Sequence, residues 1–161
     1  MVILVISACS EEEESTTTDP FSCTGSSSGS GPTIGGVTLK EATYTSGSNS
    51  LTFVNSTSAN SVYSGQSPFC YTIDLTSTTA SMLKTNSANT GNATMNGVSL
   101  AGYDNVTAYY TIMANSVLDT TYHMYIYADN DSSFYLNSWG LDSKSKADAV
   151  CIVSLKHYTK Q

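Results

Sequence analysis

An antiparallel all-β domain, either a sandwich or a barrel, is what this chain predicts, and three observations predict it. Short runs in which apolar and polar residues alternate recur along most of its length. Clusters of Ser, Thr, Asn and Gly separate those runs, and a helical period is nearly absent. At 161 residues the chain can hold one such domain, with a real core and a tail.

Taken in order, the first strand-like runs are residues 37–44, 51–54 and 61–64, with a Ser-Gly-Ser-Asn turn at 46–49 between the first two. Residues 69–75 alternate most cleanly, placing Phe69, Tyr71, Ile73 and Leu75 on one face and Cys70 on the other. Residues 77–84 are expected to form a turn of helix, with Met82 and Leu83 packing inward behind a Ser or Thr cap. Asn96-Gly97, between Thr94-Met95 and Val98-Ser99-Leu100, predicts a hairpin, because a type I′ turn needs positive φ at both positions. Residues 106–114 alternate again. Residues 142–148 read as loop or helical turn, and 149–158 as a last, mostly buried strand.

Between these lies the hairpin that organises the reading, residues 122–128 and 134–139 across an Asp129-Asn130-Asp131-Ser132-Ser133 turn. If Ala128 pairs with Phe134, then Tyr122, Met124, Ile126, Ala128, Phe134, Leu136 and Ser138 share the core face. The opposite face carries three facing pairs: Tyr127 with Tyr135, Tyr125 with Asn137, and His123 with Trp139. Rings with polar tips offer apolar area to a sugar or peptide while their hydroxyls fix its orientation. These six residues are therefore the candidate binding surface. The competing reading is that tyrosine is simply a favoured strand residue and that this face packs against a second sheet.

Charge excludes one class of partner. Only 12% of residues are charged, arginine is absent, and four units of the net −7 come from Glu11 to Glu14. A nucleic-acid binder needs clustered basic groups to replace phosphate counterions, so nucleic acid is not an expected partner.

Residues 1–6 are apolar, and Ile6-Ser7-Ala8-Cys9 resembles the lipobox at the end of a bacterial lipoprotein signal peptide. The apolar run is shorter than the usual ~7–15 residues and no basic residue precedes it, so the natural leader is expected to begin further upstream. The resemblance implies that Cys9 is lipidated and becomes the mature N-terminus, with the membrane as partner through that anchor. Ser10-Glu11-Glu12-Glu13-Glu14 is similar to the acidic export signal of surface lipoproteins of Bacteroidota, which implies an outer-membrane location at the cell surface. Residues 1–8 are then a signal-peptide remnant, 9–35 a Ser/Gly-rich tether carrying the acidic run, and 36–161 a single β-domain.

With Cys9 lipidated, Cys23, Cys70 and Cys151 remain, so at most one internal bridge can form. Cys23 with Cys70 is expected, stapling the tether to the domain, and Cys70 with Cys151 is its rival. Metal ligation is not expected, since no Cys-x-x-Cys or His-x-x-x-His spacing exists. The acidic turn at 129–133 lacks the glycine and bidentate glutamate of a calcium loop. Gly25-Ser26-Ser27-Ser28-Gly29 matches a nucleophile elbow in letters only, with no strand before it or helix after it. Catalysis and cofactors are thus not expected.

For the fold, an immunoglobulin-like sandwich is the first expectation and a lipocalin-like barrel the alternative, in which the tyrosine face would line an interior cavity. For function, the expectation is a surface-displayed lipoprotein acting as a non-catalytic binding module for glycan or a cell-surface partner. The alternative is a structural or accessory subunit of an outer-membrane complex or fibre.

Overall fold

The computed structural model describes residues 22–161 except 65–67, 96, 138–140 and 151–154, and gives only the backbone of 76–79 and 149–150. Within them lie strands β1 (Thr33–Ile34), β2 (Val37–Thr38), β3 (Thr43–Ser46), β4 (Asn49–Asn55), β5 (Ser58–Val62) and β6 (Phe69–Thr85), so the expected run 37–44 is broken between β2 and β3 and the run at 61–64 covers only the end of β5. These are followed by β7 (Asn92–Met95), β8 (Val98–Ala101), β9 (Tyr103–Asn115), β10 (Thr120–Asn130) and β11 (Ser133–Leu136). Helix α1 (Lys144–Val150) and strand β12 (Lys156–Lys160) complete the chain.

Strands β3, β4, β5, β6, β9, β10, β11 and β12 follow one another around a closed antiparallel barrel, with β12 returning to pair with β3. Closure rests on two register pairs far apart in sequence, Thr159 with Thr45 and Lys160 with Tyr44. This is the lipocalin-like alternative, not the immunoglobulin-like sandwich. The alternation in the strands is the same for either architecture, and only the β12–β3 pairing, which leaves the sheet without an edge, distinguishes them.

The barrel has two unlike ends. At one, the β4–β5 and β10–β11 turns meet a strap formed by residues 31–40. The strap closes on itself through Gly31 N–H to Leu39 O (2.8 Å) and Leu39 N–H to Pro32 O (3.0 Å), and buries Ile34 and Leu39. Gly35 turns it at φ +60°, where a Cβ would come within 2.6 Å of the Tyr109 ring, so glycine is required for both reasons. Beneath the strap Tyr44, Phe53, Phe134 and Tyr158 interlock, with centroids 5.0–5.7 Å apart. The Tyr44 hydroxyl donates to Asp131 O (2.9 Å) and accepts from Lys40 N–H (3.0 Å), tying strap to turn. The β3–β4, β5–β6 and β9–β10 connections form the other end.

The organising hairpin pairs as expected, Ala128 with Phe134 and Tyr127 with Tyr135. Met124, Ile126, Ala128, Phe134 and Leu136 are buried in the barrel interior, and Tyr122 packs against them. The Asn96-Gly97 hairpin forms too: Met95 pairs with Val98 and Gly97 sits at φ +78°, while Asn96 lies outside the described residues.

Three expectations are corrected. Residues 77–84 are not helical but continue β6, because their Thr-rich run suits a strand and β9 supplies its partner. A register shift between Leu75 and Thr79 marks a bulge there. Residues 149–158 are not one strand: helix α1 reaches Val150, started by Ser143, whose O and Oγ accept from Ala147 and Lys146 N–H, and β12 begins only at Lys156. Finally, the tether is fastened earlier than its Ser/Gly composition suggests. Cys23 is disulfide-bonded to Cys70, its N–H bonds Asn60 Oδ1 (2.7 Å), and Glu41 accepts from Ser27 Oγ (2.5 Å) and Ser28 N–H (2.6 Å). The segment matching a nucleophile elbow is thus irregular chain held by a carboxylate.

Candidate functional site

Alternation along β10, β11 and β12 sends Tyr127, Tyr135 and His157 to the outside of the barrel wall, and register sets them side by side. Tyr127 pairs with Tyr135, and Tyr135 with His157. The rings form a ladder across three strands. Tyr127 and Tyr135 lie 6.2 Å apart, and Tyr135 and His157 stack at 4.3 Å and 11°. Tyr135 is buried, Tyr127 half-buried and His157 exposed, so the ladder opens to solvent toward β12.

Lys84, from the far half of β6, stands over Tyr127 (5.3 Å) and Tyr135 (5.4 Å) and pairs with Asp129 (2.7 Å). Burial works against its charge, but the hydrogen bond and charge of Asp129 outweigh it and raise its pKa. Partial burial against Tyr135 lowers the pKa of His157 from its ordinary value, which favours the neutral ring. Burial also raises that of Tyr135. The exposed end of the ladder is uncharged and aromatic, with a fixed ion pair beside it.

A second lysine repeats the arrangement lower on the wall. Lys144 of α1 lies over Tyr110 (5.4 Å) and Tyr125 (5.7 Å) and pairs with Asp148 (2.9 Å). The Tyr125 hydroxyl donates to Asp148 (2.5 Å) and accepts from Lys144 (3.1 Å), while the Tyr110 hydroxyl is hydrogen-bonded to His123 Nδ1. The hydrogen bond from Tyr125, then that from Lys144, holds Asp148 below the usual carboxylate range, and Lys144 is raised, chiefly by Asp148. Asp148 therefore stays ionised and Lys144 protonated near pH 7, and the pair holds its charge. Its work is to clasp α1 to the wall.

The six residues expected to form a platform are thereby divided. Tyr125, Tyr135 and Asn137 are only 2%, 6% and 3% exposed. Asn137 Oδ1 accepts from Tyr125 N–H (2.8 Å) and its amide donates to Ala147 O (3.3 Å). Tyr110, Tyr125 and Tyr135 pack with Met82, Ala108, Ala147 and Leu155 in a second layer outside the barrel. The face is thus covered, as the competing reading expects, but by helix α1 and its flanking residues and not by a second sheet. His123 and Tyr127 are half-buried, and Trp139 lies outside the described residues.

Sequence reasoning missed Lys84, Asp129, His157, Lys144 and Asp148 as neighbours of this face. His157 could have been found by alternation, since a strand that buries Tyr158 must turn His157 outward; the lysines come from distant elements and left no local signal. Asp129, near the end of β10 and not in the turn where the sequence placed it, and Asp131, in the turn, diverge to separate lysines, Lys84 and Lys40. Comparison with protein-family models, curated proteins and solved structures found no match to this chain.

Proposed function

We propose that this protein is a surface-displayed lipoprotein, anchored in the outer membrane through Cys9, whose barrel is a non-catalytic binding module for a glycan or a cell-surface partner. The observation that carries the reading is the Tyr127–Tyr135–His157 ladder, open at its His157 end. Stacked neutral rings present apolar area at low conformational cost, which suits the face of a sugar ring. Lys84 and Asp129 beside them supply a donor and an acceptor in fixed positions. Titration of the chain with a panel of neutral polysaccharides and glycoproteins, followed by calorimetry, tests this. Saturable binding that weakens at least about tenfold in Tyr127→Ala and His157→Ala, with the thermal midpoint retained, supports it. Binding unchanged in both variants would count against it.

The second reading, an accessory subunit of an outer-membrane complex or fibre, is favoured by Val98, 57% exposed on a β7–β8 hairpin separate from the barrel sheet. A hairpin that projects an apolar side chain can add to another chain's sheet. Val98→Asp would then remove the protein from its complex while leaving glycan binding intact.

A further inference from the structure

Three of the four exposed large apolar side chains among the described residues stand at one end of the barrel. Tyr63 (49%) follows β5, and Val117 (51%) and Leu118 (42%) lie in the β9–β10 turn. Strand β6 runs between β5 and β9, so these two connections flank its first residue, Phe69, which is itself only partly buried. The four form one apolar arc of the rim. The turn is held in place from below by buried Asn115, whose Oδ1 accepts from Val117 and Leu118 N–H (2.9 and 2.8 Å), so the two side chains are presented rather than loosely placed. Asp119 is the one charged residue among 63, 64 and 116–119. The Lys144–Asp148 and Lys146–Asp142 pairs lie in and just before α1, which packs on the outer wall of β9 and β10 below the turn that joins them.

The N-terminal segment reaches this same arc. Cys23 is bonded to Cys70, the residue after Phe69. From there the chain passes Asn60 and Asn55 to Ser27 and Ser28 at Glu41, travelling along the outer wall toward the strap end. The described chain begins at Ser22, beside Cys70 and Phe69, and runs from there toward the strap. Cys9 is 14 residues before Cys23, at most about 50 Å of chain.

We infer that the arc of Tyr63, Phe69, Val117 and Leu118 rests in the headgroup region of the membrane that holds the anchor. This rests on the lipid-anchor reading, and commits to a lipid surface as the occupant because the described chain, to which the anchor segment is joined, begins at the arc. Apolar and aromatic side chains at low charge density are what an interfacial layer accepts. The barrel then stands with its strap end outward, and the ladder, one turn of strand from the β10–β11 turn at that end, faces away from lipid.

The test is amide hydrogen exchange of the lipidated full chain in phosphatidylcholine vesicles, compared with the Cys9→Ser chain in solution. Flotation of the vesicles reports anchoring separately, through whether Cys9 is needed. Should the chain fail to float, the anchor reading fails, and the comparison is repeated with the same chain held by an N-terminal hexahistidine on nickel-chelating lipid. The inference predicts exchange slowed at least about fivefold at Tyr63 and 116–119, and unchanged at 57 and 130–132. It also predicts that Val117→Asp/Leu118→Asp still attaches but loses the slowing. Equal rates at 116–119 on and off the membrane, or slowing at 130–132 instead, would overturn it.

Discussion

Replacing both Cys23 and Cys70 by Ser removes the one cross-link described in the chain, and its effect can be sized. The bridge closes a loop with a sequence separation of 47. In the chain-entropy treatment such a loop costs the unfolded state about 4 kcal/mol of freedom at 25 °C, and the double substitution returns it. The folded state loses little beyond this, because the barrel wall on β5 and β6 is paired with or without the bridge. With a urea slope of about 2 kcal/mol/M for a domain this size, the unfolding midpoint should fall by ~2 M. The assay is equilibrium unfolding in urea followed by far-ultraviolet dichroism, comparing oxidised wild type with the double variant. Glu41→Gln should move the midpoint far less, since the carboxylate acts on the exposed backbone of the same segment. A double variant whose midpoint falls by less than about 0.5 M would refute the reasoning, because the N-terminal segment would then not be bound to the barrel in the folded state.

Tyr44→Phe should cost about 2–3 kcal/mol in the same assay, because it strips a buried hydroxyl from Asp131 O and Lys40 N–H while leaving the ring stack unchanged. Asp148 is held below the ordinary carboxylate range, so its clasp on α1 is complete above about pH 4 and is lost as pH falls through the lowered value. Near-ultraviolet dichroism of the tyrosines should register that loss, and Asp148→Asn should show the loosened signal already at pH 7. Histidine resonances should place the His157 titration below its ordinary 6.5. That sign means the folded state resists the proton, so the contribution to stability is whole above pH 6.5 and declines as pH falls through the lowered value. Lys84→Met should move the titration up and Asp129→Asn should move it down, since Lys84 lowers and Asp129 raises it.

Much of this architecture is written in local pattern. The alternation of residues 69–75, 106–114 and 122–136 specified strands, faces and the Ala128–Phe134 register, because a one-residue slip would expose Met124, Ile126 and Phe134 together. Asn96-Gly97 specified a hairpin through backbone chirality alone. The choice of barrel over sandwich was not legible, because it turns on Lys160 meeting Tyr44 across most of the chain. The strand at 77–84 was misread because Met82 and Leu83, both buried, mimic a helical pair; in fact one packs in the outer layer while the other's carbonyl accepts from Leu155 N–H. The tyrosine face was legible as a face but not as a covered one. What covers Tyr125 and Asn137 is a helix whose Ala147 and Asp148 lie in a stretch that carries no strong period.

The central claim is that the ring ladder takes a ligand at its His157 end. Histidine and tyrosine ring resonances of the full chain, recorded while a binding polysaccharide is added, test it most directly. Saturable shifts are expected at His157, Tyr127 and Tyr135, with His123, beside α1, unmoved. Shifts confined to residues away from the ladder, with His157 stationary at saturation, would contradict it.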